Sequence, residues 1–273
     1  MKYLGETTGE CIGTFMLVFF GCGSVAVTVL FSAHTGLLQI AVIWGVGVAL
    51  AIYATRHLSC AHLNPAASIA MVVGGRMTST KLPGYLTGQF LGAFCAAAVL
   101  CGLFAPSIAM YENLHGIVRG APASMQTAMM FGEFYPNPGS GTAVSVSTMT
   151  AFFAEGVGTF CLVFLVFALT EGCNLGRPDD SLAPLFIGLT VTAIISVLAP
   201  LTQAGLNPAR DLSPRLFAMF AGWGKAAMPD NSYGFLIVYV MGPIVGGILA
   251  SLFFTRIIQP LMKNKENNNC NCR

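Results

Sequence analysis

Six stretches of the chain are nearly free of charge, at about residues 8–30, 37–55, 83–104, 148–170, 182–200 and 234–258. At 1.5 Å of rise per residue, a hydrocarbon layer of roughly 30 Å needs about 20 apolar residues in a helix, and each stretch has about that length. The run FMLVFFGCGSVAVTVLF is continuously apolar, whereas the strands of a membrane barrel alternate apolar and polar positions over about 10 residues. The pattern therefore predicts six transmembrane helices. Two further apolar segments, AASIAMVVGG and ARDLSPRLFAMF, are too short to cross. Each follows the Asn of an Asn-Pro-Ala triplet, Asn64-Pro65-Ala66 in one case and Asn207-Pro208-Ala209 in the other. Asn is a favoured N-cap, and Pro is favoured at the first helical position because its missing N–H would be unpaired there anyway. The triplets thus predict the starts of two half-helices.

The same elements occur twice. ECIGTFMLVFFG in the first span matches EGVGTFCLVFLV in the fourth, which gives Glu10 and Glu155 equivalent places, and the triplets follow 54 and 52 residues later. GQFLGA in the third span and MGPIVGG in the sixth supply small residues suited to close helix contact. Residues 1–105 and 148–260 read as duplicates within one membrane domain, 1–260, with an outer loop, 106–147, between them and a polar tail, 261–273, expected to be disordered. Three spans per copy is an odd number, so the second copy starts from the opposite face. The result is an inverted repeat whose half-helices meet N-terminus to N-terminus near the membrane centre.

Composition agrees and narrows the class. Of 273 residues, 55% are hydrophobic and 9% charged, with a mean hydropathy of +0.73, which excludes a soluble domain. The first span is too long for the apolar core of a signal peptide and is retained. With the N-terminus cytoplasmic, inside segments hold Lys2, Arg56, Arg76, Lys81, Arg177, Arg256, Lys263, Lys265 and Arg273, and outside segments hold Arg119, Arg210, Arg215 and Lys225. That bias places both termini in the cytoplasm. The nine cysteines are odd in number and mostly within spans, so no structural disulfide is expected; Cys270 and Cys272 belong to the tail. The four histidines have no metal-ligand spacing, the outer-loop methionines together with Met77 and Met110 read as packing, and no nucleophile or acid–base set stands out. An enzyme, a cofactor, a metal site and a nucleic-acid partner are not expected.

AHLNPA, GLNPARD and the doubled Glu-x-x-Gly-Thr together are specific. On them the chain resembles the major intrinsic proteins, the aquaporins and aquaglyceroporins, over nearly its whole length. The resemblance implies the aquaporin fold, an all-α membrane protein of six tilted transmembrane helices and two re-entrant half-helices around one pore per subunit, assembled as a homotetramer in the cell (plasma or inner) membrane. Asn64 and Asn207 would turn their amide N–H groups into the lumen beside two positive helix ends, breaking a proton wire and repelling cations. The legs before the triplets should be extended, with a carbonyl ladder from Cys60, Ala61, His62 and Leu63 and from Gln203, Gly205 and Leu206, because irregular backbone at membrane depth survives only where protein or water satisfies it. Glu10 and Glu155, by the resemblance, hold leg amides from behind; the rival reading is a proton relay. His62 reads as leg support, with gating as the alternative, and Asp211, four residues before Arg215, as a structural pair.

The family's narrow filter falls on Trp44, Ile195, Ala204 and Arg210, the last the one charged group expected in the lumen. A water-selective member would carry His and a small polar residue at 195 and 204. Glycerol facilitators share Trp44, Arg210 and Asp211 but pair Gly with Phe at 195 and 204, and have Pro at Tyr239. The set looks closer to nodulin-like proteins. The expected function is a passive channel for glycerol and water, extending to urea or metalloid hydroxides and excluding protons and ions. A water-selective aquaporin and a coupled secondary transporter are the alternatives.

Overall fold

The computed structural model describes residues 3–140, 145–228 and 233–267. Its helices are α1 (Leu4–Phe31), α2 (Leu37–Thr55), α3 (Pro65–Val73), α4 (Leu82–Leu114), α5 (Met125–Ala128), α6 (Thr148–Thr170), α7 (Ala183–Thr202), α8 (Pro208–Ala218), α9 (Gly242–Phe253) and α10 (Gln259–Asn267). Among the described residues, six helical stretches are long and apolar enough to cross a membrane: Leu4–Phe31, Leu37–Thr55, Ser79–Leu114, Thr148–Thr170, Ala183–Thr202 and Leu236–Lys263. They match the six apolar runs. The third outlasts its expected end because the helix continues through Pro106, a residue that reads as a stop in sequence. At the other extreme the sixth span runs on through α10, so residues 261–267 are helical; Cys270 and Cys272 lie outside the described residues.

The α1–α4 and α6–α9 pairs pack backbone to backbone. A Cβ on Gly92 would lie 2.1 Å from the Cys11 carbonyl oxygen, and one on Gly246 would lie 2.0 Å from the Gly156 carbonyl oxygen. Neither position admits a side chain without separating its helices. Half-helices α3 and α8, of 9 and 11 residues, reach only about 14 and 16 Å. Each inserts against a helix from the other half of the chain, α3 on α9 and α8 on α4, and the two touch each other. Outward faces carry large apolar side chains such as Phe153 and Val197, 71% and 73% exposed, as a lipid-facing surface requires.

The segment after α4 folds back into the bundle. Met130, Phe131 and Phe134 are buried in the main core with Met125 and Met129 packed against them, so these methionines are packing residues. Met110 differs from its expected role: it is 62% exposed on the outside of α4. Its three rotatable bonds suit it to either surroundings, and the helical face decides. Among the described residues, Cys11, Cys22, Cys60, Cys95, Cys101 and Cys161 are free thiols.

Candidate functional site

Each Asn-Pro-Ala triplet starts its half-helix as the residue types demand. Asn64 is extended (φ −156°, ψ 120°), and its side-chain oxygen accepts from Ala66 N at 2.9 Å and Ala67 N at 3.5 Å. Asn207 does the same for Ala209 N at 3.0 Å and Arg210 N at 3.2 Å. Pro65 and Pro208 follow at the first helical position, and Ala66 and Ala209 are fully buried behind them. The side-chain amides make a connection that the repeat alone did not reveal. Asn64 Nδ2 donates to the Leu206 carbonyl at 2.9 Å, and Asn207 Nδ2 donates to the Leu63 carbonyl at 2.7 Å. Each amide group has two hydrogens, so one braces the opposite leg and one remains for the lumen.

The legs differ from the extended form expected of them. Ala61 and Leu63 in the first, and Gln203, Ala204 and Leu206 in the second, have φ between 49° and 62°. A non-glycine residue held there costs about 1–3 kcal/mol, and the buried glutamates supply the compensation. Glu10 accepts from His62 N at 2.9 Å, Leu63 N at 2.7 Å, Ser59 Oγ at 2.8 Å and Gln89 Nε2 at 2.7 Å. Glu155 accepts from Gly205 N at 2.9 Å, Leu206 N at 2.6 Å and Thr202 Oγ1 at 2.6 Å. Bonds to an ionised carboxylate are about twice as strong as neutral ones. A trans peptide points its C=O opposite its N–H. Amides turned back to Glu10 and Glu155 therefore turn the Ala61, His62, Ala204 and Gly205 carbonyls the other way.

On that side lies a cavity of about 420 Å³. Cys60, Ala61, His62 and Leu63, then Ala204, Gly205 and Leu206, form one wall with Asn64 and Asn207. Gln203 is not among the lining residues: it caps α7, and its Oε1 accepts from Phe134 N at 2.8 Å. The facing wall is apolar, with Leu17, Val48, Ile52, Leu162, Val191 and Ile195. Glu10, Glu155 and Asp211 stand behind, fully buried. His62 Nδ1 lies 3.2 Å from Ser68 Oγ, and its ring packs on Tyr85 at 4.9 Å, which fits leg support. Tyr239 also lies beneath a leg, donating its hydroxyl to the Thr202 carbonyl at 3.1 Å.

Trp44, Ile195, Ala204 and Arg210 all line this cavity, and the Arg210 guanidinium carbon sits 4.1 Å from the centroid of Trp44. Arg210 is 4% exposed, and its Nη1 has no protein partner. It is not the only charged group in contact with the lumen: Arg56, Arg76 and Asp180 line the other end, where Arg76 pairs with Glu171 at 2.5 Å. Nor is it alone at its own end. Glu133, from the segment between α5 and α6, forms a buried salt bridge with it. Sequence reasoning passed over Glu133 because it lies outside both repeats; its only signal is a lone carboxylate in the aromatic setting of FGEFYPNP. Burial raises its carboxyl above the ordinary carboxylate range, and Arg210 pulls it back.

The family profile described as major intrinsic protein matches residues 1–254. The chain belongs to the major intrinsic protein family. It is 40% identical to the glycerol uptake facilitator protein of Escherichia coli strain K12 over 255 residues, 93% of this chain and 88% of that one. Identity to the glycerol uptake facilitator protein of Pseudomonas aeruginosa is 41% over 248 residues, 90% of this chain and 86% of the relative. Among solved structures, the aquaglyceroporin from Plasmodium falciparum superposes with a TM-score of 0.82 at 26% identity, covering 96% of this chain and 99% of that one. Asp211 then has a clear part in this member: its Oδ1 accepts from Arg215 Nη2 at 2.6 Å and from Glu133 N at 2.8 Å, tying α8 to the outer segment.

Proposed function

We infer that the chain is a passive channel for glycerol and other small uncharged solutes. The observation that carries this is the two-sided cavity, with backbone carbonyls and asparagine amides along one wall and aliphatic side chains along the other. A polyol has the matching form, hydroxyls on one edge and C–H groups on the other. The glycerol uptake facilitators named above support the same reading. Within it, Asn64 and Asn207 form the central barrier, since their free amide hydrogens lie beside two helix N-termini that each carry about +0.5 charge. Trp44, Ile195, Ala204 and Arg210 form the filter, the leg carbonyls serve as acceptors in series, and Glu10, Glu155 and Asp211 hold this machinery from behind. The doubled glutamate networks and crossed asparagine bonds support an inverted repeat of residues 1–105 and 148–260.

The channel sits in the plasma or inner membrane as a homotetramer with cytoplasmic termini, as the resemblance to the aquaporins implies. Lys81–Glu6, Arg76–Glu171 and Arg177–Asp180 join segments assigned to one face and Arg119–Glu112 joins segments assigned to the other, which supports the six-span topology; the excess of Lys and Arg on the first face is what assigns it to the cytoplasm. The reading is tested by stopped-flow light scattering of proteoliposomes with water, glycerol, urea and arsenous acid, with and without ion gradients. Glycerol flux that ignores ion gradients is expected. Flux of water alone would return the chain to the water-channel alternative, and gradient-driven uptake would make it a coupled transporter.

A further inference from the structure

Arg210 is held from a direction that the repeats do not supply. Glu133 is 1% exposed, and its carboxylate pairs with the guanidinium of Arg210. Its backbone is fixed on both sides. The N–H donates to Asp211 Oδ1 at 2.8 Å, and the carbonyl accepts from Arg215 Nη2, while Arg215 Nε and Nη2 reach Asp211 at 3.0 and 2.6 Å. Asp211 and Arg215 are on α8, the helix that carries Arg210. Even the approach is built in: a Cβ on Gly132 would lie 2.8 Å from the Arg215 guanidinium carbon. The carboxylate is thus rigidly placed relative to Arg210. Glu133 does not itself line the cavity, whereas Arg210 does, and Arg210 Nη1 is buried with no hydrogen-bond partner in the protein.

Arg210 and Arg215 pair directly with Glu133 and Asp211, two cations with two anions that cancel formally, while the carboxylate of Glu155, which also faces Glu133, is taken up by the Gly205 and Leu206 amides. An unpaired buried charge is strongly unfavourable, and an uncompensated arginine beside a narrow passage would attract small anions and hold hydroxyl oxygens tightly. We propose that Glu133 is the counter-charge and positioning residue of the filter, holding Arg210 against Trp44 as a hydrogen-bond donor without net positive charge, so that neutral solutes pass and anions gain no entry. This rests on the filter reading given under Proposed function.

The test uses full-length protein in liposomes and four variants. Glu133→Gln keeps the size and removes the charge; nitrate permeability is expected to appear and the glycerol-to-water flux ratio to fall severalfold. Glu133→Asp restores the charge at a shorter reach and is expected to block nitrate again while leaving the glycerol ratio altered, a split that a purely packing role would not give. Arg210→Val separates the two levels of the argument: altered solute selection there, with Glu133→Gln indistinguishable from wild type, overturns the role of Glu133 but keeps the filter, whereas no change in either overturns the filter itself. The double variant Glu133→Gln with Arg210→Val should lose the nitrate leak.

Acidification supplies a second readout. The charged and titratable groups facing Glu133 are Arg210, Asp211 and Arg215 from α8, Glu155 from α6, Cys22 from α1 and Tyr239 from the sixth span. Because burial raises the Glu133 carboxyl, falling pH adds its proton earlier than for an ordinary carboxylate and leaves Arg210 unopposed. With that carboxyl pushed up to about 8, wild type should exclude nitrate at about pH 9 and acquire the leak as pH falls through about 8, and Glu133→Gln should leak equally throughout. A wild type that excludes nitrate at every pH alongside a non-leaking Glu133→Gln would overturn the proposal.

Discussion

Gly21 on α1 lies against the flat side of the Trp44 ring, and a Cβ placed there would be 2.2 Å from Cε3 and Cζ3 and 2.3 Å from Cη2. Carbon atoms in contact normally sit about 3.5–4.0 Å apart, so Gly21→Ala requires relative movement of about 1.5 Å. The indole is rigid, and Arg210 stacks 4.1 Å from its centroid. The ring is therefore pushed toward the lumen, or α1 and α2 separate. Overpacking of this kind costs about 1–3 kcal/mol. If about 1.4 kcal/mol of that is felt only when a glycerol-sized solute occupies the filter, glycerol flux falls about tenfold, while the smaller water molecule is affected less. The control is close at hand: a Cβ on Gly23 of the same helix would meet only Leu100 Cδ2, at an ordinary 3.5 Å. Gly23→Ala should behave as wild type. Stopped-flow glycerol and water fluxes, normalised to protein in the vesicles, make the measurement. An unchanged glycerol-to-water ratio in Gly21→Ala would refute the idea that Trp44 borders the narrowest passage.

Three further substitutions address other parts of the lumen. Ala204→Phe adds a ring to a residue lining the same cavity as Trp44 and Arg210, and the glycerol-to-water flux ratio in liposomes should fall; a constant ratio counts against Ala204 as a filter residue. Asn207→Asp removes the donor to the Leu63 carbonyl and sets a negative charge beside two helix N-termini, so cation or proton leak should appear in a dye-loaded vesicle assay, with Asn64→Asp behaving alike. Glu155→Gln replaces one acceptor oxygen by a donor where Thr202, Gly205 and Leu206 all donate. With a backbone N–H left unpaired at about 1–3 kcal/mol, Tm in detergent should drop, and an unchanged Tm would mean that the leg does not depend on that carboxylate.

What was legible in the sequence was whatever local chemistry decides. The Asn-Pro-Ala starts could be read because an N-cap and its proline act within three residues, and the spans because lipid demands long apolar helices. Glu10 and Glu155 were legible because they occur twice in the same setting. The left-handed legs were not, since Ala61 and Leu63 carry no glycine signal and their conformation is imposed by a carboxylate about fifty residues earlier. Gln203 was misplaced for a related reason: its side chain is taken by Phe134 N, 69 residues back. Glu133 stayed hidden because its partner is on another segment and no second copy marks it.

The lumen also limits how tightly a solute can be held. One wall offers carbonyls whose amides are already fixed on Glu10 and Glu155, so hydroxyl bonds are exchanged along it without moving the backbone. The other wall, from Leu17 through Val191 to Ile195, offers only contact. Sheltering a carbon from water gains about 0.8 kcal/mol, so the three carbons of glycerol gain roughly 2–3 kcal/mol against that wall. Lost hydration at the hydroxyls, replaced nearly one for one, adds little to this. A dissociation constant of 1 mM needs about 4.1 kcal/mol, so occupancy stays low at millimolar glycerol. Flux through the channel should therefore rise linearly with the glycerol gradient across the millimolar range. Saturation at micromolar glycerol would mean that a true binding site interrupts the passage, and the two-sided lumen would then be the wrong account of how this chain conducts.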